Sequence, residues 1–510
     1  MVPGIDLMSK DKIVMDSSKR KFRIPSPNNL IKPPEDIQFG RKSKPWRIYF
    51  AMLKSVLPVF FLLYSSLFII LGLINLDPII TLSGGICSLP LIIIIIRLHR
   101  PKLIHVKIAT PSENGGFIHP LPNGGSLQTN VKTDFKRFLI RDDSVLEMPP
   151  SKQLWLIFSL VVFVGIILSL LFLTNYSQDS DLNIEYLPSN IGVILFIIIA
   201  IPLWIIGFSL PVLTWWGTST QLLGITTRKR DAESWLLAGM VAAFPAFLFN
   251  SLIAPLMLPE SASMLINDLI LLAFFAPLCE ELFKGFAVAF FLPSIKGPKH
   301  GFQIGFTIGL GFALIENFQY IGLSLIGGPL QITMTILIRG IGSIPGHAVW
   351  TAITGTAIGW FVIDSNYVNK YNNKEKKVFN DADYSIFDPL DVGISDKSLD
   401  KLNDKKIWSL LDKNSEIINN QISADKPPKK YVKSGFYSPK SVINALILSI
   451  LGHSFWNGSS YFSFYLPDER NLAPNMVIFI SFVWTTILIV TMLYTTIQLL
   501  RGIRSLDIEN

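Results

Sequence analysis

Residues 274–293 read FFAPLCEELFKGFAVAFFLP, an apolar run with three ionisable side chains, Glu280, Glu281 and Lys284, near its middle. The run is long enough to cross a bilayer, because a membrane-spanning helix needs about 20 mostly apolar residues. Ionisable side chains inside a span are costly and rare, and they mark functional sites or buried partners. The stretch therefore predicts a transmembrane helix with a polar site inside it.

The composition of the whole chain agrees with a membrane protein. Half of the 510 residues are hydrophobic and 16% are charged, and the mean hydropathy is +0.44. A water-soluble domain cannot easily bury so much apolar surface. We predict an all-α fold, a polytopic transmembrane helical bundle of about ten spans. The spans are expected near residues 53–75, 78–96, 153–174, 191–216, 234–258, 264–292, 301–326, 331–363, 441–465 and 473–500.

Lysine and arginine collect in alternate loops of this arrangement. The first 50 residues and the loops 97–152 and 364–440 are basic, whereas residues 175–190 contain three acids and no base. Positive loops face the cytoplasm, so we expect both termini to be cytoplasmic. The net charge of +8 then reflects topology and contact with anionic membrane lipids, and nucleic acid is not expected as a partner.

The same patterns divide the chain into segments. Residues 97–152 alternate strand-like pieces with Gly, Pro and Asn turns, which suggests a small cytoplasmic insertion containing strands. The predicted segments are a basic cytoplasmic tail (1–50), the first two spans (51–96), the insertion (97–152), two further spans (153–216), a four-span core (234–363), a polar cytoplasmic loop (364–440) and two spans that complete the core (441–500).

Polar side chains also lie inside the spans that follow the opening stretch. They are Glu316, Arg339, His347, His453 and Asn457, on three later spans. The first five spans contain almost none of this kind. Because intramembrane ionisable residues face the protein interior or a water-filled cavity, we expect these side chains to converge on one site.

Helical spacing indicates which of these groups can meet. Glu280 and Lys284 are four residues apart, so they share a helix face and can pair, whereas Glu281 is rotated by roughly 100° toward another face. His453 and Asn457 are also four residues apart and point the same way. The spacing therefore predicts a paired Glu280 and a freer Glu281.

Glycine and proline indicate how the neighbouring helices approach. A smooth glycine face on the seventh span allows close helix packing, and this packing would bring Glu316 into the cluster. Pro345 precedes His347 and is expected to open that helix and free backbone groups. The glycine face consists of Gly301, Gly305 and Gly309.

Carboxylates and histidines in a wet intramembrane pocket can hydrolyse a peptide bond in two ways. A glutamate can take a proton from water, a histidine can orient that water or protonate the leaving amine, and an Asn/His pair can donate to the oxyanion. Alternatively, a divalent metal such as zinc can be held by two histidines and glutamates with a position left for water. These metal ligands would be His347, His453, Glu281 and Glu316, and the residues do not separate the two mechanisms.

Other functions fit parts of the pattern. An ion- or proton-coupled transporter also places ionisable groups at mid-membrane, but the polar residues crowd into four spans and no repeat relates them to the first five. Glu280 and Lys284 can form a merely structural ion pair, and an inactive scaffold would retain the same fold. A hydrolase uses more of the polar residues than any of these alternatives.

Four short motifs lie in order on four consecutive spans. They are Glu280-Glu281-x-x-Lys284, Phe312-x-x-x-Glu316-Asn317, Arg339 eight residues before His347, and His453-x-x-Trp456-Asn457. Together, over roughly residues 234–465, they resemble the motifs of the PrsW-type intramembrane proteases, relatives of the CAAX prenyl endopeptidase and Abi group. The resemblance implies a multi-pass endopeptidase of the cell membrane that hydrolyses membrane-anchored protein substrates among membrane lipids, with CAAX-type prenyl-protein processing as the nearest alternative.

The resemblance also implies roles for individual residues. It assigns water activation to Glu280 and Glu281, completion of the polar site to Glu316 and His347, binding of the oxyanion to His453 and Asn457, and support to Lys284, Arg339 and Asn317.

Overall fold

The computed structural model describes residues 12–15, 21–24, 28–30, 43–100, 103–120, 126–141, 144–176, 189–259, 261, 263–365 and 435–506. The chain forms two compact units. The smaller comprises Met1–Ser43, Arg100–Val145 and Ser385–Lys429, and the larger comprises Lys44–His99, Leu146–Tyr384 and Lys430–Asn510. Most of the predicted N-terminal tail and of the predicted loop 364–440 lies outside the described residues.

The described part of the smaller unit consists mainly of strands. Strand β1 (Lys12–Met15) pairs with β2 (Lys21–Ile24) in antiparallel orientation. Strands β4 (Leu103–Pro120) and β5 (Ser126–Arg141) form a long antiparallel pair, and β3 (Asn28–Leu30) joins the other edge of β5 in parallel. Both long strands lie in the segment where the sequence suggests a strand-containing insertion.

The larger unit is helical throughout its regular structure. Its described helices are α1 (Arg47–Ile74), α2 (Pro78–Leu98), α3 (Ser151–Tyr176), α4 (Ser189–Leu223), α5 (Lys229–Leu248), α6 (Met264–Leu269), α7 (Ala276–Phe290), α8 (Pro298–Ser324), α9 (Gly328–Ile338), α10 (Ile344–Asp364), α11 (Val442–Glu469) and α12 (Pro474–Arg504).

π-helical turns link several of these helices. One follows α5 at Phe249–Ile253, a second joins α6 to α7 at Ile270–Phe275, and a third joins α9 to α10 at Arg339–Ser343. The α6–α7 and α9–α10 pairs are therefore continuous helical spans that each contain one wide turn. Such turns occur frequently at functional sites, and the sequence patterns did not predict them.

The helices confirm the all-α polytopic membrane fold. Within the described residues, seven helical segments are long and apolar enough to cross a membrane, and the segment Pro298–Asp364 contains α8, α9 and α10. The α6–α7 and α11 segments, which contain many of the predicted site residues, are not among the seven. The protein is thus an integral membrane protein, while the count of ten spans and the cytoplasmic termini stay predictions.

Helix α8 lies at the centre of the larger unit and packs closely on α10. Its glycine face, Gly301, Gly305 and Gly309, lies against backbone atoms of α10, as the spacing predicted. A Cβ at Gly305, for example, would lie 2.5 Å from the Thr351 carbonyl oxygen. This close approach brings α8 and α10 near enough for Glu316 and His347 to interact.

Replacing Gly305 with alanine is expected to destabilise the protein. The added methyl group collides with the α10 backbone, and overpacking of this kind costs about 1–3 kcal/mol. Gly85→Ala is the matched control, because a Cβ at Gly85 meets nothing within 4 Å and alanine favours a helix over glycine. Thermal unfolding in detergent should show a lower midpoint for Gly305→Ala alone, and equal midpoints would contradict the packing argument.

Candidate active site

Four helical segments bring the predicted polar residues together inside the larger unit. Helix α7 supplies Glu280, Glu281 and Lys284, all buried. Glu316 comes from α8, and histidines come from α10 and α11. The sequence predicted this convergence from the ionisable side chains inside apolar spans.

Glu281 is the carboxylate that is tightly paired. Its Oε1 lies 2.6 Å from Lys284 Nζ and 3.0 Å from His453 Nδ1. Lys284 Nζ is also 3.8 Å from Glu280 Oε2, so the predicted Glu280–Lys284 pair is present as a looser contact, but the prediction of a freer Glu281 is wrong. Residues three apart and residues four apart are both neighbours on a helix, so either glutamate can reach Lys284. Contacts with other helices decide between the two glutamates, and Lys284 Nζ also contacts His347 Nδ1 at 3.1 Å.

Glu316 occupies a second paired position. Its Oε2 accepts from Arg339 Nη2 at 2.8 Å and lies 2.7 Å from His347 Nε2. Arg339 Nε also donates to Asn317 Oδ1, and the guanidinium lies 4.2 Å from the centre of the Tyr320 ring. Arg339 begins the π turn that precedes α10, so this turn holds the arginine against α8.

Glu280 differs from the other two glutamates because it makes no short ion pair. Its Oε2 is buried and accepts no hydrogen bond from the described residues, as is also true of the second carboxylate oxygen of Glu281. The three nearest polar groups stand at similar distances, with Lys284 Nζ at 3.8 Å and His347 Nδ1 and His453 Nε2 both at 3.9 Å. Polar contacts beyond about 3.5 Å are commonly bridged by water. Glu280 therefore faces the space that these groups surround.

The two histidines share one arrangement. His347 has Nε2 against Glu316 and Nδ1 toward Glu280, whereas His453 has Nδ1 against Glu281 and Nε2 toward Glu280. A carboxylate on one imidazole nitrogen fixes the ring and leaves the other nitrogen as an acceptor or metal ligand. His453 therefore presents a free acceptor nitrogen toward Glu280, whereas His347 Nδ1 also accepts from Lys284 Nζ at 3.1 Å.

Asn457 and Pro345 lie next to the π turns and not within the group of glutamates and histidines. Asn457 Nδ2 donates to the Leu272 carbonyl oxygen at 3.1 Å, in the π turn between α6 and α7. Pro345 lies directly after the π turn Arg339–Ser343. The span is therefore widened just before the proline, where the sequence predicted an opened helix.

The comparisons with known proteins bear on the same helices. Residues 234–379 match the model of the PrsW family of intramembrane metalloproteases. The PrsW match starts at the first residue of the predicted core and covers less than a third of the chain. It includes Glu280, Glu281, Glu316 and His347 and stops before α11, so the fourth motif lies beyond it. No curated protein and no solved structure matches the chain.

The PrsW match confirms the resemblance drawn from the motifs. It supports an intramembrane endopeptidase activity, and with it membrane-protein substrates and a lipid environment. The matched helices are those that carry the paired and free glutamates. The family description and the geometry thus point to the same part of the protein.

A group that can hold a metal ion also lies in the PrsW-matched region and α11. Glu280, His347 and His453 each offer one ligand atom, and these atoms lie within 4.8 Å of one another. The predicted ligand set names Glu281 and Glu316 instead of Glu280, and it stays a prediction. In the described residues each of these two carboxylates contacts a histidine and a cation, whereas Glu280 is the carboxylate that groups with both histidines.

Sequence reasoning missed two residues near this site. Asp268 on α6 accepts a hydrogen bond from the Tyr461 hydroxyl at 2.7 Å. Asp268 is an ionisable residue inside a predicted span, and Tyr461 is eight residues beyond His453 on the same helix face. The sequence therefore contained a signal for each residue: an ionisable side chain inside a span for Asp268, and a spacing of about two helical turns from His453 for Tyr461.

Proposed function

We propose that the protein is an intramembrane endopeptidase that hydrolyses peptide bonds of membrane-anchored proteins with water activated at Glu280. The observation that supports the proposal most directly is the buried Glu280 Oε2. It lacks a hydrogen-bond donor among the described residues but faces two histidine nitrogens at 3.9 Å. The PrsW match supplies the class of reaction.

Water in this position has suitable partners for general-base catalysis. A water molecule can donate one hydrogen bond to Glu280 Oε2 and another to His453 Nε2. Glu280 takes its proton as the water oxygen attacks the carbonyl carbon of the substrate. The same proton then passes to the leaving nitrogen as the carbon–nitrogen bond breaks, giving a carboxylic acid and an amine. Asn457 is proposed to donate to the oxyanion, whereas His453, with its Nδ1–H directed at Glu281, keeps Nε2 as the acceptor for the water.

The charges in the site support a special role for Glu280. Lys284 balances Glu281 at 2.6 Å, and Arg339 balances Glu316 at 2.8 Å. Three glutamates and two permanent cations leave one excess negative charge, which belongs to Glu280. A buried charge without close compensation is costly, so Glu280 favours a state in which it binds a proton or a cation.

The same residues fit a divalent metal such as zinc. His453 Nε2, the free oxygen of Glu280 and His347 Nδ1 would hold it, once Lys284 gives up its 3.1 Å contact with His347. Glu281 and Glu316 fix the imidazole rings from behind. When bound, the metal would polarise the substrate carbonyl and make water more acidic. Glu280 is needed in either case, as the base or as a ligand.

We expect the purified protein to contain about one zinc ion per chain. His453→Gln should lower this content severalfold, because it removes one of the three ligands. His300→Gln is the control, since His300 interacts with the Lys296 amide and lies outside the ligand group. Elemental analysis of the wild type and both variants measures the zinc content. Equal zinc content in the two variants, or no zinc in the wild type, would contradict a metal site here.

The proposed activity is tested with purified full-length protein in liposomes. Tagged single-span membrane proteins are added as substrates, and new termini are identified by mass spectrometry. Cys279→Ala should retain the activity, because the thiol beside Glu280 is buried and takes no part in the mechanism. Absence of new termini across a broad substrate panel would reject the endopeptidase, and loss of cleavage in Cys279→Ala would replace Glu280 with a thiol nucleophile.

The proposed location is the cell membrane, with both termini in the cytoplasm. The basic loops and the acidic 175–190 segment support this orientation. The substrates would be proteins that share the same bilayer, since the site lies inside the helical unit.

A further inference from the structure

A line of polar side chains runs along α11 from the active site to the end of the helix. His453, Asn457, Tyr461, Tyr465 and Glu469 are spaced by four residues, so successive side chains are neighbours on the helix and the line turns by about 40° at each step. The line is about 24 Å long at 1.5 Å per residue. We call these five residues the α11 stripe, and the mechanism above uses only the first two.

The middle of the α11 stripe, at Asn457 and Tyr461, faces the first half of the α6–α7 span. Asn457 Nδ2 donates to the Leu272 carbonyl oxygen at 3.1 Å. One turn further, the Tyr461 hydroxyl donates to Asp268 Oδ2 at 2.7 Å. The Tyr461 ring stacks on Tyr465 with centroids 5.6 Å apart. Polar contacts therefore continue from the site toward the membrane face at which α6 begins and α11 ends.

These polar groups need water or protein around them. Asp268, Asn457 and Tyr461 are each only partly buried. In hydrocarbon, a partly exposed carboxylate or amide costs several kcal/mol, so such groups within spans line protein interfaces or water-filled cavities. A lipid-facing surface does not account for a carboxylate, an amide and a hydroxyl in one line.

The seam between these elements is closed in the structure. A Cβ at Gly458, on α11, would lie 3.0 Å from the Ala273 Cβ in the π turn. The two helices therefore touch at this level, between the site and Asp268. Asp268 precedes Glu280 by twelve residues, or about 18 Å along a helix. A peptide could reach Glu280 along this line only if the seam opened.

We propose that the seam between the α11 stripe and the Met264–Phe275 segment is the entrance by which water and an extended substrate segment reach Glu280. This inference rests on the proposed function. The occupant is the part of a membrane-anchored protein that leaves the bilayer at this face. In the closed state Tyr461 donates to Asp268 and Asn457 donates to the Leu272 carbonyl oxygen. In the open state these three side chains offer hydrogen-bond partners to the backbone of the substrate.

Cysteine labelling tests the aqueous seam without any need for catalysis. Single cysteines replace Asn457 or Tyr461 in a background with Cys87→Ala and Cys279→Ala, and a membrane-impermeant maleimide is added to liposomes. Controls at similar depth are Phe455→Cys and Phe462→Cys, because both phenylalanines are exposed on other faces of α11. Stripe cysteines should react about ten times faster than the controls, since only a hydrated position reacts.

A disulfide across the seam tests passage of the substrate. Ala273→Cys with Gly458→Cys should cross-link the closed seam after a small shift. Cleavage should then fall at least about tenfold on oxidation, because opening is blocked, and recover on reduction. Thr354→Cys with Ser449→Cys is the matched control, since their hydroxyls lie 3.2 Å apart and tie α11 to α10 away from the seam.

The outcomes separate this inference from the proposed function. Stripe cysteines that react no faster than the controls would overturn the entrance while the protease stands. Full cleavage by the oxidised protein with Ala273→Cys and Gly458→Cys would do the same. Fast stripe labelling, together with a wild-type protein that cleaves no substrate, rejects the protease and leaves a hydrated seam without a substrate. Fast labelling together with reversible loss of cleavage in the cross-linked protein supports the entrance.

Discussion

Glu280→Gln is expected to lower the rate of substrate cleavage by about a thousandfold, within the range that general-base catalysis contributes. Glutamine has nearly the same shape but cannot accept a proton from water, and it is a poor metal ligand. The substitution also removes the excess negative charge of the site. The fold should tolerate it, because Glu280 Oε2 accepts no hydrogen bond from the described residues and Lys284 keeps its 2.6 Å contact with Glu281.

The measurement compares cleavage rates in liposomes with thermal unfolding of the same preparations. Glu233→Gln serves as the control, because it makes the same chemical change on α5 in a pair with Lys229 at 2.7 Å. It should cleave at the wild-type rate. If Glu280→Gln retained most of the activity, water activation would have to move to Glu281 or Glu316, both of which are held by a cation and a histidine.

Much of the fold followed from apolar runs, because a bilayer imposes a minimum length on each span. The predicted stretch 264–292, for example, corresponds to α6, its π turn and α7, which end at Phe290. The same reasoning found the site, since each glutamate and histidine was conspicuous in an apolar segment. Span length alone could not show the π turns, because they depend on local packing between helices.

The partners inside the site could not be predicted from spacing. Glu280 and Glu281 both lie within reach of Lys284, and the choice depends on His347 and His453, which are distant in sequence. Spacing also could not show that Glu280, rather than Glu281 or Glu316, groups with both histidines. Asp268 was overlooked although it is ionisable and lies within a predicted span.

Glu281→Gln is expected to reduce the stability of the protein by about 3–5 kcal/mol, the usual cost of breaking a buried ion pair. Lys284 is fully buried, and the substitution leaves its ammonium with Glu280 Oε2 at 3.8 Å as the nearest carboxylate. His453 also loses the carboxylate that fixes its ring at 3.0 Å. The effect should therefore appear in unfolding, in contrast to Glu280→Gln.

A double variant distinguishes a structural ion pair from a merely polar contact. Glu281→Gln with Lys284→Met removes both charges and fills a similar volume, so it should recover much of the stability that either single variant loses. Unfolding of the wild type, the two single variants and the double variant in detergent gives the coupling energy directly. Losses that simply add would show that Glu281 and Lys284 act independently. Recovery in the double variant would assign the Glu281–Lys284 pair to the framework that positions His453 and leaves Glu280 free to act on water.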